Sequence, residues 1–420
     1  MMNKLKPKSE FSRNVLTLMT GTTIAQVIPI AISPILTRLY TPEDFGILAL
    51  FVAISSIFGS VANGRYDLAI MLPRKDEDAI NIFALGIIIV FCVSLLLFFI
   101  VVTFYDTLLF ILHNKEIGLW LYFIPFSVFF IGLYNLLNYF NNRKKQYKDL
   151  ANATILKSLI TAIIQLSIGF IKGGVGGLIS GQLLSHLFAN MKLLKNIIKD
   201  RILISRISKV KIIALAKKYK DFPKFTLWAG LLNTSSTHLT NILISSLFNI
   251  KTLGFYALTQ RLLAVPSSFI GRAIGQVFFQ EATKEKQNTG SADKVFKSTL
   301  KKLIAIGVPF FIVLFFIVED LFTFIFGENW RVAGEYAKIL MPFFMISFIS
   351  SPLAISLSVF EKQKSTLFIN MILIISSLSI LYYSIFFHLE FTVFLTILTI
   401  VMCINYLMFI FYYYKVVKGM

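Results

Sequence analysis

Little in this chain suits a soluble enzyme. Of its 420 residues only 15% are charged, and 21 acidic residues face 41 Lys and Arg. The two cysteines, Cys92 and Cys403, both lie inside apolar runs. Neither a disulfide framework nor a metal-ligand spacing can be built from them. There is no Gly-x-x-x-x-Gly-Lys-Ser/Thr loop, which argues against a nucleotide-powered pump. No Ser/His/Asp, zinc or paired-carboxylate arrangement stands out. The reading is therefore of a non-enzyme without metal or cofactor.

What the chain does have is apolar length. Hydrophobic residues make up 56% of it, against about 45–50% in soluble domains, where charge is also near 25%. A bilayer-crossing helix needs about 20 mainly apolar residues. Segments of that kind fall near 14–39, 44–64, 79–104, 117–140, 150–170, 173–194, 224–248, 253–279, 298–318, 335–360, 365–387 and 391–414. The expected fold is thus an all-α polytopic membrane protein of about twelve transmembrane helices. Lys4, Lys6 and Lys8 ahead of the first run resemble a signal peptide, but the run is about 25 residues long and passes through Pro34. It reads as an uncleaved first span.

A formal charge of +20 would suggest nucleic acid in a soluble protein. Here the basic residues gather in alternate loops, which excludes that partner and orients the chain instead. With the N-terminus in the cytoplasm, 32 Lys and Arg fall on that side, six on the other and three (Lys157, Arg261, Arg272) within spans. Both termini are then cytoplasmic. The most basic connection, Ile197 to Lys220, divides six spans from six. This predicts an N-terminal bundle over 1–195, a basic linker over 196–222 and a C-terminal bundle over 223–420. A shift of 208 residues lays Gly46-Ile47-Leu48-Ala49-Leu50 on Gly254-Phe255-Tyr256-Ala257-Leu258. That is a sign of a parallel repeat, a recurrent plan of secondary transporters.

Three segments carry a family resemblance: Leu36-Thr37-Arg38-Leu39-Tyr40-Thr41-Pro42-Glu43-Asp44-Phe45-Gly46, Arg65-Tyr66-Asp67-Leu68-Ala69-Ile70-Met71-Leu72-Pro73, and Phe326-Gly327-Glu328-Asn329-Trp330 with Ala333-Gly334. With length and span count, the chain resembles the Wzx-type polysaccharide flippases of the multidrug/oligosaccharidyl-lipid/polysaccharide (MOP) exporter superfamily. The resemblance implies two six-helix bundles forming a V and a central cavity lined by the first and seventh spans. It also implies export of an undecaprenyl-pyrophosphate-linked oligosaccharide for O-antigen, capsule or exopolysaccharide across a bacterial cytoplasmic (inner) membrane. The implied partners are that lipid-linked substrate, the phospholipid bilayer and other polysaccharide assembly proteins.

Polar groups inside spans are the candidate site residues, because such groups usually face a bundle interior or a wet cavity. Arg261 and Arg272, eleven residues apart on the eighth span, share one face of a straight helix at about 100° per residue, with Ser268 and Gln276 on the same stripe. Guanidinium groups match phosphate oxygens with paired donors, and Arg272 equally suits snorkelling to headgroups. Arg65, near the cytoplasmic end of the second span, serves either as a first headgroup ligand or as a positive-inside anchor. Asp67 pairs with it only if the helix ends there. Lys157 with Thr161 and Gln165, Asn135 with Asn138 and Asn142, and Asn233 with Thr237 and Asn241 recur at helical spacing. Lys157 suits substrate binding or snorkelling equally, and the amides and hydroxyls suit either an oligosaccharide path or interhelical hydrogen bonds. His238 is a candidate for proton coupling or a structural histidine, and Arg38 for a gate or substrate contact. In the turn after the first span, Thr41 suits a helix cap, Pro42 the first helical position, and Glu43 and Asp44 the positive end of the helix dipole.

Three competing functions are weighed. A lipid-linked peptidoglycan precursor is a rival cargo. A cation-coupled drug exporter of the same fold wants an embedded carboxylate, yet the first span carries Gln26 and no acidic residue. A membrane glycan polymerase or ligase would need a sizeable outer loop, and the outer segments around 105–116 and 319–334 are short and apolar.

Overall fold

The computed structural model describes residues 10–419; Lys4, Lys6 and Lys8 lie outside them. Among the described residues every regular element is a helix. The long ones are α1 (Glu10–Leu39), α2 (Pro42–Gly59), α3 (Asp76–Thr103), α4 (Ile124–Arg143), α5 (Tyr147–Phe170), α6 (Val175–Ile198) and α7 (Leu227–Leu247). They are followed by α8a (Ile250–Leu263), α8b (Arg272–Thr289), α9 (Asp293–Phe326), α10 (Arg331–Leu353), α11 (Gln363–Phe386) and α12 (Phe391–Val417). Each expected span therefore has its helix. By length and hydropathy nine described helices can cross a membrane, or ten if α8a and α8b count as one broken span. The two left out are α6 and α7, whose runs are diluted by Gly, Ser, Thr, Asn and His. The protein is an all-α, multi-pass membrane protein.

Local chemistry sets the helix starts. Thr41 caps α2 by accepting the Asp44 amide at 3.2 Å, while the Asp44 carboxylate accepts the Thr41 amide at 3.0 Å. Pro42 follows, as the missing N–H of a first helical residue costs nothing. The C-terminal end of α4 is joined to the start of α3 by ion pairs, Arg143 and Lys144 to Asp76 at 2.9 and 2.6 Å.

By contacts the chain divides into two compact units, Met1–Ser246 and Leu247–Met420. In the first, α1 lies so close to α5 that a Cβ on Gly21 would sit 2.5 Å from the Ala151 Cβ. Small residues let membrane helices approach in this way. The Tyr40 hydroxyl donates to the Gln165 carbonyl at 2.6 Å, and a Cβ at Gly177 on α6 would run into that hydroxyl. The linker helix Lys209–Lys218 docks on α3: Asn81 donates to the Arg206 carbonyl and accepts from the Ser208 amide at 3.1 and 2.8 Å, and Lys211 pairs with Glu77 at 3.0 Å. In the second unit α10 packs between α9 and α12. The Thr259 hydroxyl of α8a donates to the Ala333 carbonyl at 2.7 Å, and Phe255 meets buried Trp330 edge-on at 5.7 Å.

The eighth span is interrupted, and the second ends in a turn that carries the same residue pair. Helix α2 ends at Gly59, and the turn that follows carries Gly64 and Arg65, both with φ of 61°. In the second unit α8a ends at Leu263, a π-turn runs from Ser267 to Gly271, and α8b starts at Arg272 after a bend of 41°. Shifted by 207 residues, Gly64-Arg65 falls on Gly271-Arg272, one residue off the register of the Gly-x-x-Ala-Leu match. The first unit thus carries Gly-Arg in the turn after α2, and the second carries it at the start of α8b.

Candidate functional site

The turn after α2 brings Arg65 and Asp67 into one cluster, because the second span stops at Gly59 rather than running on to residue 64. Arg65 donates through Nη1 to the Ser60 carbonyl at 3.2 Å, and its backbone amide donates to Asn63 Oδ1 at 2.9 Å. The carboxyl of Asp67 is 1% exposed. Burial raises its pKa above the ordinary carboxylate range, and the nearby Arg65 charge opposes that rise. Arg65 Nε and Asp67 Oδ1 are both buried without a hydrogen-bond partner among the described residues. Gly230 on α7 supplies the approach to the guanidinium: a Cβ there would lie 3.4 Å from Nε.

The candidate residues of α7 share a sparsely covered helix. Only Ile244 and Ser245 of that helix are buried. Asn233 and Thr237 are exposed, His238 and Asn241 half-buried. Asn241 Oδ1 is buried without a partner among the described residues. Helix α1 is similar, with 17% of its most apolar window buried and Thr22 and Thr23 exposed. Arg38 at its end is exposed and donates to the Pro34 carbonyl at 2.7 Å.

Lys157 lies half-buried in α5, where α4 and α6 meet it. Its Nζ is 5.3 Å from the centre of the Tyr134 ring, and the His186 ring stands perpendicular to the same ring at 6.1 Å. His186 Nδ1 lies 2.9 Å from the Gln182 carbonyl. A hydrogen bond there requires Nδ1 to donate. The two residues spaced with Lys157 have structural work. Thr161 bonds the Lys157 carbonyl at 2.9 Å, and Gln165 bonds the Leu178 carbonyl at 3.1 Å.

In the second unit Arg261 is half-buried in the last turn of α8a, next to Gln260, which donates to the Tyr256 hydroxyl at 2.6 Å. Arg272 and Gln276 are exposed on α8b. The expected single stripe does not survive, because it presumed a straight helix. Pro266 and the π-turn change both the axis and the angular phase between Arg261 and Arg272. Ser268 turns back to the Val265 carbonyl at 2.9 Å.

Several working residues carried no sequence signal. The buried asparagine of α4 is Asn141, which donates to the Leu137 carbonyl at 2.8 Å and accepts from Asn196 at the same distance. It is off the Asn135, Asn138, Asn142 face. Asn190 of α6 bonds the Phe130 carbonyl at 3.0 Å. Among the described residues no group of three His, Cys, Asp or Glu could hold a metal ion.

This geometry can be set beside known proteins. Over 124 residues, 30% of this chain, it is 26% identical to the teichuronic acid biosynthesis protein TuaB of Bacillus subtilis (strain 168). The match spans 26% of that relative's length. Among solved structures, the lipid II flippase MurJ in an inward closed conformation is similar with a TM-score of 0.72 at 14% identity, over 94% of this chain and 87% of that one. An inward-facing multidrug resistance MATE family transporter of the MOP superfamily gives 0.66 at 11% identity, over 96% and 94%. At such identities these likenesses speak for the fold. The family model described as polysaccharide biosynthesis protein matches residues 35–335. With its helices arranged as in the MOP superfamily and most of its length under that model, the chain belongs to the polysaccharide biosynthesis protein family.

Proposed function

We propose that this protein carries undecaprenyl-pyrophosphate-linked oligosaccharide repeat units from the cytoplasmic to the outer leaflet of a bacterial inner membrane, by alternating access between its halves. Both termini face the cytoplasm in this reading, and the protein moves its cargo without breaking a bond. The observation that carries it is the kind of polar group found inside the spans of a polysaccharide biosynthesis family member. Arg261 in α8a and Lys157 in α5 are cations within apolar helices, while α1 has no acidic residue from Thr17 to Leu39. A cation inside a span is costly, about 2.5–3.5 kcal/mol on insertion scales, and marks a pathway for charge. An anionic diphosphate is the cargo that repays it.

The accessible amides and hydroxyls of α7 suit the sugars of the same cargo, and the Arg65 turn suits a headgroup arriving from the cytoplasmic side. A drug exporter coupled to cations fits less well, since Gln26 stands where an embedded carboxylate would be wanted. The test is complementation of a strain lacking its own flippase, scored by surface polysaccharide. Rescue is expected for at least one repeat-unit type, with Arg261→Ala reducing export far more than Arg261→Lys at equal membrane abundance. No rescue across several repeat-unit types in well-expressing cells would sink the reading.

A further inference from the structure

The second unit contains a cavity of about 350 Å³ between α10, α11 and α12. It opens where α10 is interrupted. Pro352 lies one residue before the helix ends at Leu353, and after Ala354 and Ile355 the chain resumes as a single turn, Ser356–Val359. Proline removes a backbone donor and disturbs the preceding turn. This break lies near the C-terminal end of the span, and irregular backbone there is tolerated where it is enclosed by protein or lines a wet cavity.

The lining mixes hydroxyls and an amide with apolar side chains and carries no charge. Ser350 and Ser351 come from α10, Thr366 and Asn370 from α11, and Tyr406 and Tyr413 from α12. The tyrosine wall is held in place: the Tyr406 ring lies 5.4 Å from Phe343 and 5.7 Å from Phe409. Ser365 and Tyr412 share a hydrogen bond of 2.6 Å that ties α11 to α12, and Asn405 donates to Ser376 at 3.0 Å farther along the same pair. The walls are therefore pinned around the space rather than free to collapse into it.

The geometry points to a subsite for a neutral sugar ring. A pyranose offers hydroxyls around its edge and C–H faces above and below. Hydroxyl and amide side chains satisfy the first, and tyrosine rings satisfy the second. A diphosphate finds no cation among these lining residues, and an acyl chain would make no use of their hydroxyls. The volume is at the lower end of the roughly 300–1,000 Å³ of small-molecule pockets, so it suits one ring rather than a whole repeat unit. This assignment rests on the proposed flippase reading and names the part of the cargo recognised by the C-terminal unit.

The test uses purified full-length protein in lipid nanodiscs, with N-acetylglucosamine and methyl α-glucoside as probes, read by saturation transfer from protein to sugar-ring protons. Wild type is expected to transfer to at least one probe. The signal should drop about fivefold or more in Ala354→Phe, which fills the cavity, and in Thr366→Val, which keeps side-chain shape but removes a hydroxyl. Lys209→Gln, in the linker, should leave it unchanged. Transfer that is absent in wild type, or equal in wild type and Thr366→Val, overturns the assignment. The two readings separate cleanly. Pocket-dependent transfer in a protein that never rescues export refutes the flippase and keeps the subsite. Rescue of export without any transfer refutes the subsite and keeps the flippase.

Discussion

Burying a carboxyl group makes its proton part of the fold's energy, and Asp67 is the residue where this can be measured. Its pKa is raised by burial. The folded chain therefore holds a proton that the unfolded chain has already released, and stability falls as pH rises from the ordinary carboxylate range through the raised value. Asp67→Asn removes that decline. In thermal melts in detergent, its advantage over wild type should be larger at pH 8 than at pH 5. A variant that melts below wild type at pH 8 would show that the carboxylate stabilises the turn through Arg65. At this scale the sequence was legible where partners are close along the chain. The Thr41 cap uses residues three apart, and its chemistry shows in the letters. His186 and Asn141 could not be found that way, since what they do depends on Tyr134 and Asn196, which are brought near only by tertiary packing.

Among elements, the eighth span is the most informative. A common face for Arg261 and Arg272 needs a helix of uniform pitch through Pro266, whereas the chain takes a π-turn from Ser267 to Gly271 and bends there. Pro266→Ala should restore backbone hydrogen bonding and straighten the bend of 41°, raising the melting temperature while lowering export several-fold. Proline inside a helix costs about 3 kcal/mol in soluble hosts, so a stabilised variant is the expected direction. Unchanged export in the more stable variant would show that the bend has no part in transport. Helix α4 starts seven residues after, and α9 ends eight residues beyond, the expected bound. Most helix ends elsewhere were legible to within about five residues, because apolar run length and flanking charge are local properties. The break in α10 was not, since its cavity needs three helices to form.

For the whole molecule, run length and composition sufficed for the class of fold, as each of the twelve expected spans is helical. In the sequence a division into halves rests on the basic linker and one short repeat, because membrane spans draw on few residue types and matches between them are easily blurred. The side on which the basic linker lies can be read directly. A reporter fused near Lys211 should be active as a cytoplasmic fusion and silent as a periplasmic one, and the reverse would invert the topology. The Gly21–Ala151 contact bears on how far the first unit can be altered. With no room there for even one methyl group, any larger side chain at position 21 would wedge α1 away from α5.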